Sequence, residues 1–335
     1  MIGLWIGFIA FVLALLALDL GVFHRKAHVV SIREALAWVG VWVSLAMLFS
    51  GFVYAAYYHQ WFGLTLAMGG GKPDLVGPAA AGPAFVQFLT GYLVEESLSM
   101  DNMFVIAMIM AHVHVPAAVQ HRLLYWGILG ALVMRGAMIL AGVGLVHRFD
   151  WILYVFGAFL VFTAVKMLVS REPTDLKQNL LVRWTRKLMP VTEEFHGSRF
   201  TVRIDGKLWL TPLAVALIAI ESADVVFAVD SIPAIFGITR DPFLIFTSNV
   251  FAILGLRSLY FALAGIMEKF RYLKVALSVL LAFIGVKMLL KDLLEPIPGL
   301  NFWTLAVTVL ILATGIVASL LADRRKKRRG DAVTR

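Results

Sequence analysis

Apolar residues run along this chain in nine long segments, each close to the roughly 20 residues that a helix needs to cross a bilayer. The segments cover approximately residues 2–23, 35–58, 84–110, 123–146, 151–170, 210–236, 242–265, 272–291 and 301–322. Period-two alternation is absent, and a backbone in lipid must satisfy its hydrogen bonds internally, so the pattern predicts helices. We therefore predict an all-α, polytopic membrane protein with nine transmembrane helices.

Basic residues indicate which way the chain enters the membrane. They concentrate after the first, fifth and seventh segments and in the tail RRKKRR at 324–329. Because cytoplasmic loops are enriched in Lys and Arg, we expect the N-terminus outside and the C-terminus in the cytoplasm of a cell, with the inner (plasma) membrane as the location. The net charge of +9 then reflects contact with anionic lipid, not nucleic acid.

The polar connections differ in character. Residues 171–209 form the main soluble, cytoplasmic loop, and the stretch LLVRWTRKL within it is amphipathic enough to lie on the membrane surface. Residues 69–83, rich in Gly and Pro, are predicted to be a flexible external connector. Residues 323–335 are predicted to be a basic cytoplasmic tail.

Two parts of the chain resemble each other. Arg135 and Lys166 stand 31 residues apart, and Arg257 and Lys287 stand 30 apart, and both lysines lie in the same VKML sequence. We therefore predict that residues 84–170 and 210–291 are two copies of a three-span unit.

Because three is odd, the second copy enters the membrane from the opposite side. Inverted repeats of this kind are typical of transporters, with a substrate site near the membrane midplane.

The third and sixth segments contain acids in an apolar setting: Glu95, Glu96, Asp101, Glu221, Asp224 and Asp230. A carboxylate at the centre of a membrane helix costs about 2.5–3.5 kcal/mol, so such residues are functional by default. Carboxylate and amide oxygens suit hard cations such as Mn²⁺, Ca²⁺ or Mg²⁺, and the chain has no cysteine for a thiolate site. The predicted metal ligands are Glu95, Asp101, Asn102, Glu221, Asp224 and Asp230.

Spacing decides which acids can cooperate. Glu221 and Asp224 share a helix face, whereas Asp230 is rotated away from Asp224 on a straight helix. Pro233 and Gly237 favour a broken segment that would turn Asp230 back toward Asp224.

Arg135 and Arg257 are predicted internal counter-ions. Six acids and two arginines carry a net charge of −4 if all are ionised, so protons should bind when the site is empty. A divalent cation that displaces those protons would provide the physical basis of antiport.

The stretches GYLVEESLSMDNMFV and IESADVVFAVDSIPAIFGITRDPFLIFTSNVFAILGLRSLYF carry a family resemblance. The chain resembles the TerC family of integral membrane proteins, in its Alx-like branch, over approximately residues 1–322. The resemblance implies a nine-span member of the LysE-type transporter superfamily, with a role in metal homeostasis and most plausibly manganese efflux. It also implies an acidic motif at Glu95, Asp101, Glu221, Asp224 and Asp230; a tellurium substrate does not follow from it.

These observations predict a secondary transporter that exports Mn²⁺, with protons as counter-ion. Two alternatives stay open: a membrane scaffold or assembly factor for other proteins, and a Ca²⁺/H⁺ exchanger, which would use the same oxygen ligands. An enzyme is not expected, since the chain shows neither a nucleotide loop nor a nucleophile paired with a base. No resident cofactor is expected either, because the metal would be the transported ion.

Overall fold

A computed structural model describes residues 2–18, 31–68, 73–169, 189–264, 272–294, 297 and 299–333. Within these ranges, nine long helices each overlap one of the nine predicted segments. They are α1 (Ile2–Leu18), α2 (Ile32–Tyr58), α3 (Pro78–Val113), α4 (Ala117–Arg148), α5 (Ile152–Val169), α6 (Pro212–Phe236), α7 (Pro242–Ala264), α8 (Leu273–Leu289) and α9 (Leu300–Val333). The shorter elements are a 3₁₀ turn, Trp61–Gly63, a helical turn, Lys291–Leu294, and an antiparallel hairpin of β1 (Thr201–Ile204) and β2 (Lys207–Leu210).

Six of the described helices are long and apolar enough to cross a membrane: α2, α4, α5, α6, α7 and α9. The protein is therefore an integral, multi-pass membrane protein. Helices α1 and α8 have 17 residues each, and α3 carries three carboxylates near its middle.

Helix α7 lies at the centre of the bundle and is buried on almost all sides. Helices α2, α3 and α4 pack around it, and α1 adds aromatic contacts such as that of Phe8 with Phe243, whose rings are 6.0 Å apart. Large apolar side chains on other helices, including Leu140, Phe162 and Leu310, face outward. Such faces fit a lipid surrounding, because a soluble protein rarely exposes so many of them.

Helices α5 and α8 pack against each other at two glycines. A Cβ on Gly285 would lie 2.7 Å from the carbonyl oxygen of Gly157, and one on Gly157 would lie 2.9 Å from the carbonyl oxygen of Gly285. Small residues allow this close backbone approach, which is a common way for helices to associate in membranes.

The structure corrects two local predictions. Helix α6 runs without a break through Pro233 to Phe236, so the expected broken segment is absent and Asp230 does not turn back. Helix α3 begins at Pro78, where proline presets the first helical turn, so 78–83 are helical and not part of a flexible connector. The predicted tail at 323–335 is helical up to Val333, where α9 ends, and its cytoplasmic location stays a prediction.

The long polar loop predicted at 171–209 contains a hairpin that was not predicted. Its turn residues, Asp205 and Gly206, both have positive φ, as the common two-residue hairpin turn requires. The predicted amphipathic stretch at 180–188 lies outside the described residues.

Candidate functional site

Arg135 is the centre of a buried polar cluster. Its guanidinium forms an ion pair with Glu95 and binds both oxygens of Asp224, with Nη2–Oδ1 and Nε–Oδ2 distances of 2.9 and 3.2 Å. Its Nη1 also lies 3.4 Å from the amide oxygen of Asn249. The side chains of Arg135, Glu95 and Asp224 are 1%, 2% and 12% exposed. Planar guanidinium groups favour this two-point recognition of a carboxylate.

Four helices contribute to the cluster: α3 with Glu95, α4 with Arg135, α6 with Asp224 and α7 with Asn249. Asp224 is the midpoint of its helix, and Glu95 and Arg135 lie close to the midpoints of theirs. The cluster therefore lies close to the middle of α3, α4 and α6. It also joins the two predicted repeats, because α3 and α4 belong to the first and α6 and α7 to the second.

A third carboxylate lies beside this cluster. Glu221, one helical turn from Asp224, is within electrostatic reach of it. The carboxylate of Glu221 fills the space above Gly130 of α4, where a Cβ would lie only 2.1 Å from its Oε1. If all four groups are ionised, three acids and Arg135 leave a net charge of −2, which one divalent cation or two protons would cancel.

The other predicted ligands have separate surroundings. Asp101 has Lys274, on α8, as its electrostatic partner. Asp230 accepts a hydrogen bond of 3.2 Å from the hydroxyl of Thr163 and lies near Lys166, both on α5.

Two further predicted residues are buried in the bundle, and Glu96 is half-buried. Asn102 is buried within α3, and Arg257 is buried within α7. Glu96 faces α7. A Cβ added to Gly255 of α7 would lie 3.6 Å from Oε1 of Glu96, which is ordinary van der Waals contact.

The serines that accompany the acids are turned toward their own helices. Ser97 donates to the carbonyl of Leu93 at 2.6 Å, and Ser222 donates to that of Ile218 at 2.5 Å. Elsewhere in the described chain, several buried acceptor oxygens make no hydrogen bond: Glu96 Oε2, Glu221 Oε2, Ser99 Oγ and Ser231 Oγ. Buried polar atoms without partners are uncommon and call for an explanation such as an ion or water.

The structure thus brings part of the predicted site together. Glu95 and Asp224 meet at Arg135, and Glu221 lies beside them, whereas Asp101 and Asp230 lie apart. Among the described residues, no three histidine or acidic side chains converge to hold a metal ion. In this arrangement of helices the six predicted ligands do not all lie together, and a metal site formed by all six stays a prediction.

Sequence reasoning did not identify the residues that shape these surroundings. Thr163 holds Asp230, Gly130 makes room for Glu221, and Lys274 faces Asp101. Each belongs to a different helix from the acid that it contacts, and nothing in the local pattern of a lone threonine or glycine in an apolar helix marks such a role.

Comparison with known proteins gives a family. The integral membrane protein TerC family matches residues 80–327. This chain belongs to the TerC family. That stretch includes every acid of the cluster and both buried arginines.

Similar TerC proteins occur in diverse bacteria. An uncharacterized membrane protein of Myxococcus xanthus, STKORF319, is 48% identical over 96% of this chain and 93% of its own length. A protein of Escherichia coli strain K12, provisionally named membrane-bound redox modulator Alx, is 46% identical over 92% of this chain and 94% of its own. An uncharacterized membrane protein of Rickettsia bellii is 39% identical over 95% and 97%. No solved structure matches the chain.

Proposed function

We propose that this TerC protein exports a divalent cation, with Mn²⁺ as the first choice, from the cytoplasm across the inner membrane in exchange for protons. The observation that carries the proposal is the buried cluster in which Arg135 lies between Glu95 and Asp224. It combines an excess of acid with a position at the middle of the helices.

A purely structural ion pair does not account for this excess. A buried pair is seldom more stable than well-packed apolar residues of similar volume. One guanidinium would be balanced by one carboxylate, yet Arg135 contacts both Glu95 and Asp224, and Glu221 lies within electrostatic reach of Asp224. The surplus negative charge is what a cation-binding site needs when it must also be occupied by protons in the absence of metal.

Arg135 acts in this proposal as a tethered cation that occupies the site when no metal is bound. A divalent ion would take its place among the carboxylate oxygens and the amide oxygen of Asn249, which are the ligands that Mn²⁺ and Ca²⁺ prefer. Return of Arg135, or of protons, to the acids would release the ion. The site would therefore never carry a large uncompensated charge within the membrane, where such a charge is costly.

We further propose that all nine long helices cross the membrane, N-terminus outside and C-terminus inside, and that α3–α5 and α6–α8 form an inverted repeat. The packing supports this. In such a repeat, α3, α4 and α5 correspond to α6, α7 and α8. The contact of α3 with α7 then corresponds to the contact of α6 with α4, and both contacts exist. Each helix also packs against its own counterpart. Alternating access would then exchange the arrangements of the two halves around the cluster.

The name of the Escherichia coli relative raises a redox role. Direct thiol–disulfide chemistry is excluded for this chain because it contains no cysteine. We propose that any effect on redox balance is indirect and follows from the concentration of a metal ion in the cell.

The test is transport by purified protein in liposomes that enclose a dye quenched by Mn²⁺. We expect the wild type to move Mn²⁺ and to respond to an imposed pH gradient, and Asp224→Asn to lose transport while still inserting. Asp205→Asn is the matched control, because Asp205 lies in the exposed hairpin turn, where asparagine also tolerates positive φ. In cells, Asp101→Asn should abolish manganese tolerance.

The results also separate the alternatives. Wild-type rates in well-inserted Asp224→Asn would remove this residue from transport and contradict the proposal. Preference for Ca²⁺ over Mn²⁺ in competition would identify a Ca²⁺/H⁺ exchanger instead. Absence of transport of either ion by any vesicle preparation would favour a scaffold.

A further inference from the structure

A cavity of about 410 Å³ lies at one end of the bundle, away from Arg135. It is formed where α5 and α9 begin and where α6 and α8 end. Among the described residues, its polar wall includes Gln87, Thr239, Arg240, Lys287, Lys291 and Asp292. A volume of several hundred Å³ lined by a few polar groups is typical of small-molecule sites.

The described residues of this cavity carry a net positive charge. Among them, three basic side chains, Arg240, Lys287 and Lys291, share the wall with one acid, Asp292. Arg240 forms an ion pair of 2.9 Å with Asp150 outside the wall, but basic groups still outnumber acidic ones when Asp150 is counted. The charge rule places this end of the bundle outside the cytoplasm, where basic residues are scarce. The enrichment of Lys and Arg in cytoplasmic loops therefore does not explain why basic residues concentrate around this cavity.

Several of these groups are held in position. The hydroxyl of Thr239 donates to the side-chain oxygen of Gln87 at 2.6 Å. This bond orients the amide of Gln87 and leaves its NH₂ group to donate elsewhere. The ammonium of Lys291 lies 4.7 Å from the centre of the Tyr154 ring, and the Tyr154 hydroxyl donates to Asp292.

Lys287 differs from its neighbours. Its side chain is partly buried in the cavity wall, and within the described chain its ammonium makes no hydrogen bond or ion pair. A partly buried cation without a partner is unfavourable. An anion in the cavity would supply the counter-charge that the described residues do not give to Lys287.

We propose that this cavity binds a phosphate-class oxyanion, contacted by Lys287, Lys291 and Arg240 and by the NH₂ group of Gln87. A phosphate group carries up to two negative charges and several acceptor oxygens, which suits cationic donors arriving from different elements. The volume exceeds that of phosphate alone, so the anion belongs to a phosphate ester. It comes either from a soluble molecule or from the headgroup of a phospholipid in the outer leaflet.

Binding of inorganic phosphate to the full-length protein tests the soluble source. The protein is placed in phosphatidylcholine nanodiscs and titrated at constant ionic strength. We expect saturable binding to the wild type, at least a tenfold loss of affinity in Lys287→Met, and retention in Lys287→Arg, which keeps the charge. The matched control is Lys166→Met, since Lys166 lies in the same VKML sequence but faces Asp230 instead of the cavity.

A second arm tests the lipid source by native mass spectrometry of protein from nanodiscs containing phosphatidylglycerol. Retention of this lipid by the wild type and its loss in Lys287→Met would identify the headgroup as the ligand. The proposal is overturned if neither probe binds, if Lys287→Met binds as the wild type does, or if Lys166→Met loses binding equally. Neither arm requires transport, so the result is independent of the cation proposal.

Discussion

Replacing Arg135 with methionine tests the role of the guanidinium as a tethered cation. The change removes two hydrogen bonds to Asp224, of 2.9 and 3.2 Å, and the ion pair with Glu95. Breaking a buried ion pair by removing one partner costs about 3–5 kcal/mol, because the remaining charge is left uncompensated. We therefore expect the metal-free variant to lose about that much of its unfolding free energy.

A divalent cation should restore much of the loss. In Arg135→Met, Glu95 and Asp224 face each other without a counter-charge and become a preformed cation site. A ligand at 100 to 1,000 times its Kd stabilises the folded state by about 2.7 to 4.1 kcal/mol. Mn²⁺ should therefore stabilise the variant more than the wild type, in which the metal has to displace the guanidinium. Transport by the variant should slow, because only protons then remain to displace the bound ion.

The assay is chemical denaturation in mixed micelles with EDTA, with MnCl₂, or with a monovalent salt of equal ionic strength. The double variant Arg135→Met/Asp224→Asn is the control, since it lacks the exposed acid pair and should not respond to Mn²⁺. Equal stabilisation of wild type and Arg135→Met by Mn²⁺, or no stabilisation of the variant, would refute the reasoning. The cluster would then be only a link between helices.

Three further predictions concern glycines in the helices. Gly130→Ala should leave folding nearly unchanged but lower Mn²⁺ transport in liposomes, because a Cβ there would displace the carboxylate of Glu221; unchanged transport would separate Glu221 from the function. Gly144→Ala, on the same helix with open space around it, should transport normally and melt at the wild-type temperature or slightly higher, since alanine favours helices. A transport loss equal to that of Gly130→Ala would show that the effect does not depend on contact with Glu221. Gly285→Ala should lose about 1–3 kcal/mol of stability by thermal or denaturant unfolding, because its Cβ would press on the backbone of Gly157, and a stability equal to that of Gly144→Ala would contradict the close packing.

The pattern of apolar residues determined most of the secondary structure. A helix in lipid must be long, apolar and internally hydrogen-bonded, so each of the nine segments could be recognised without knowledge of its neighbours. The ends were less certain: Pro78 begins a helix within a stretch that reads as a loop. The hairpin around Asp205 and Gly206 was missed, although an Asp-Gly pair between alternating residues is a recognisable turn signal.

The sequence also identified the candidate site residues, because charge is so costly in an apolar helix that acids stand out. It predicted that Arg135 compensates some of these acids, and the structure places it against Glu95 and Asp224. What the sequence could not decide was which acids meet. Residues on one helix are related by a fixed period, but contacts between helices depend on their rotation and crossing, to which every packed side chain contributes. Only the tertiary structure therefore brought Asp224 to Arg135 and directed Asp230 to Thr163.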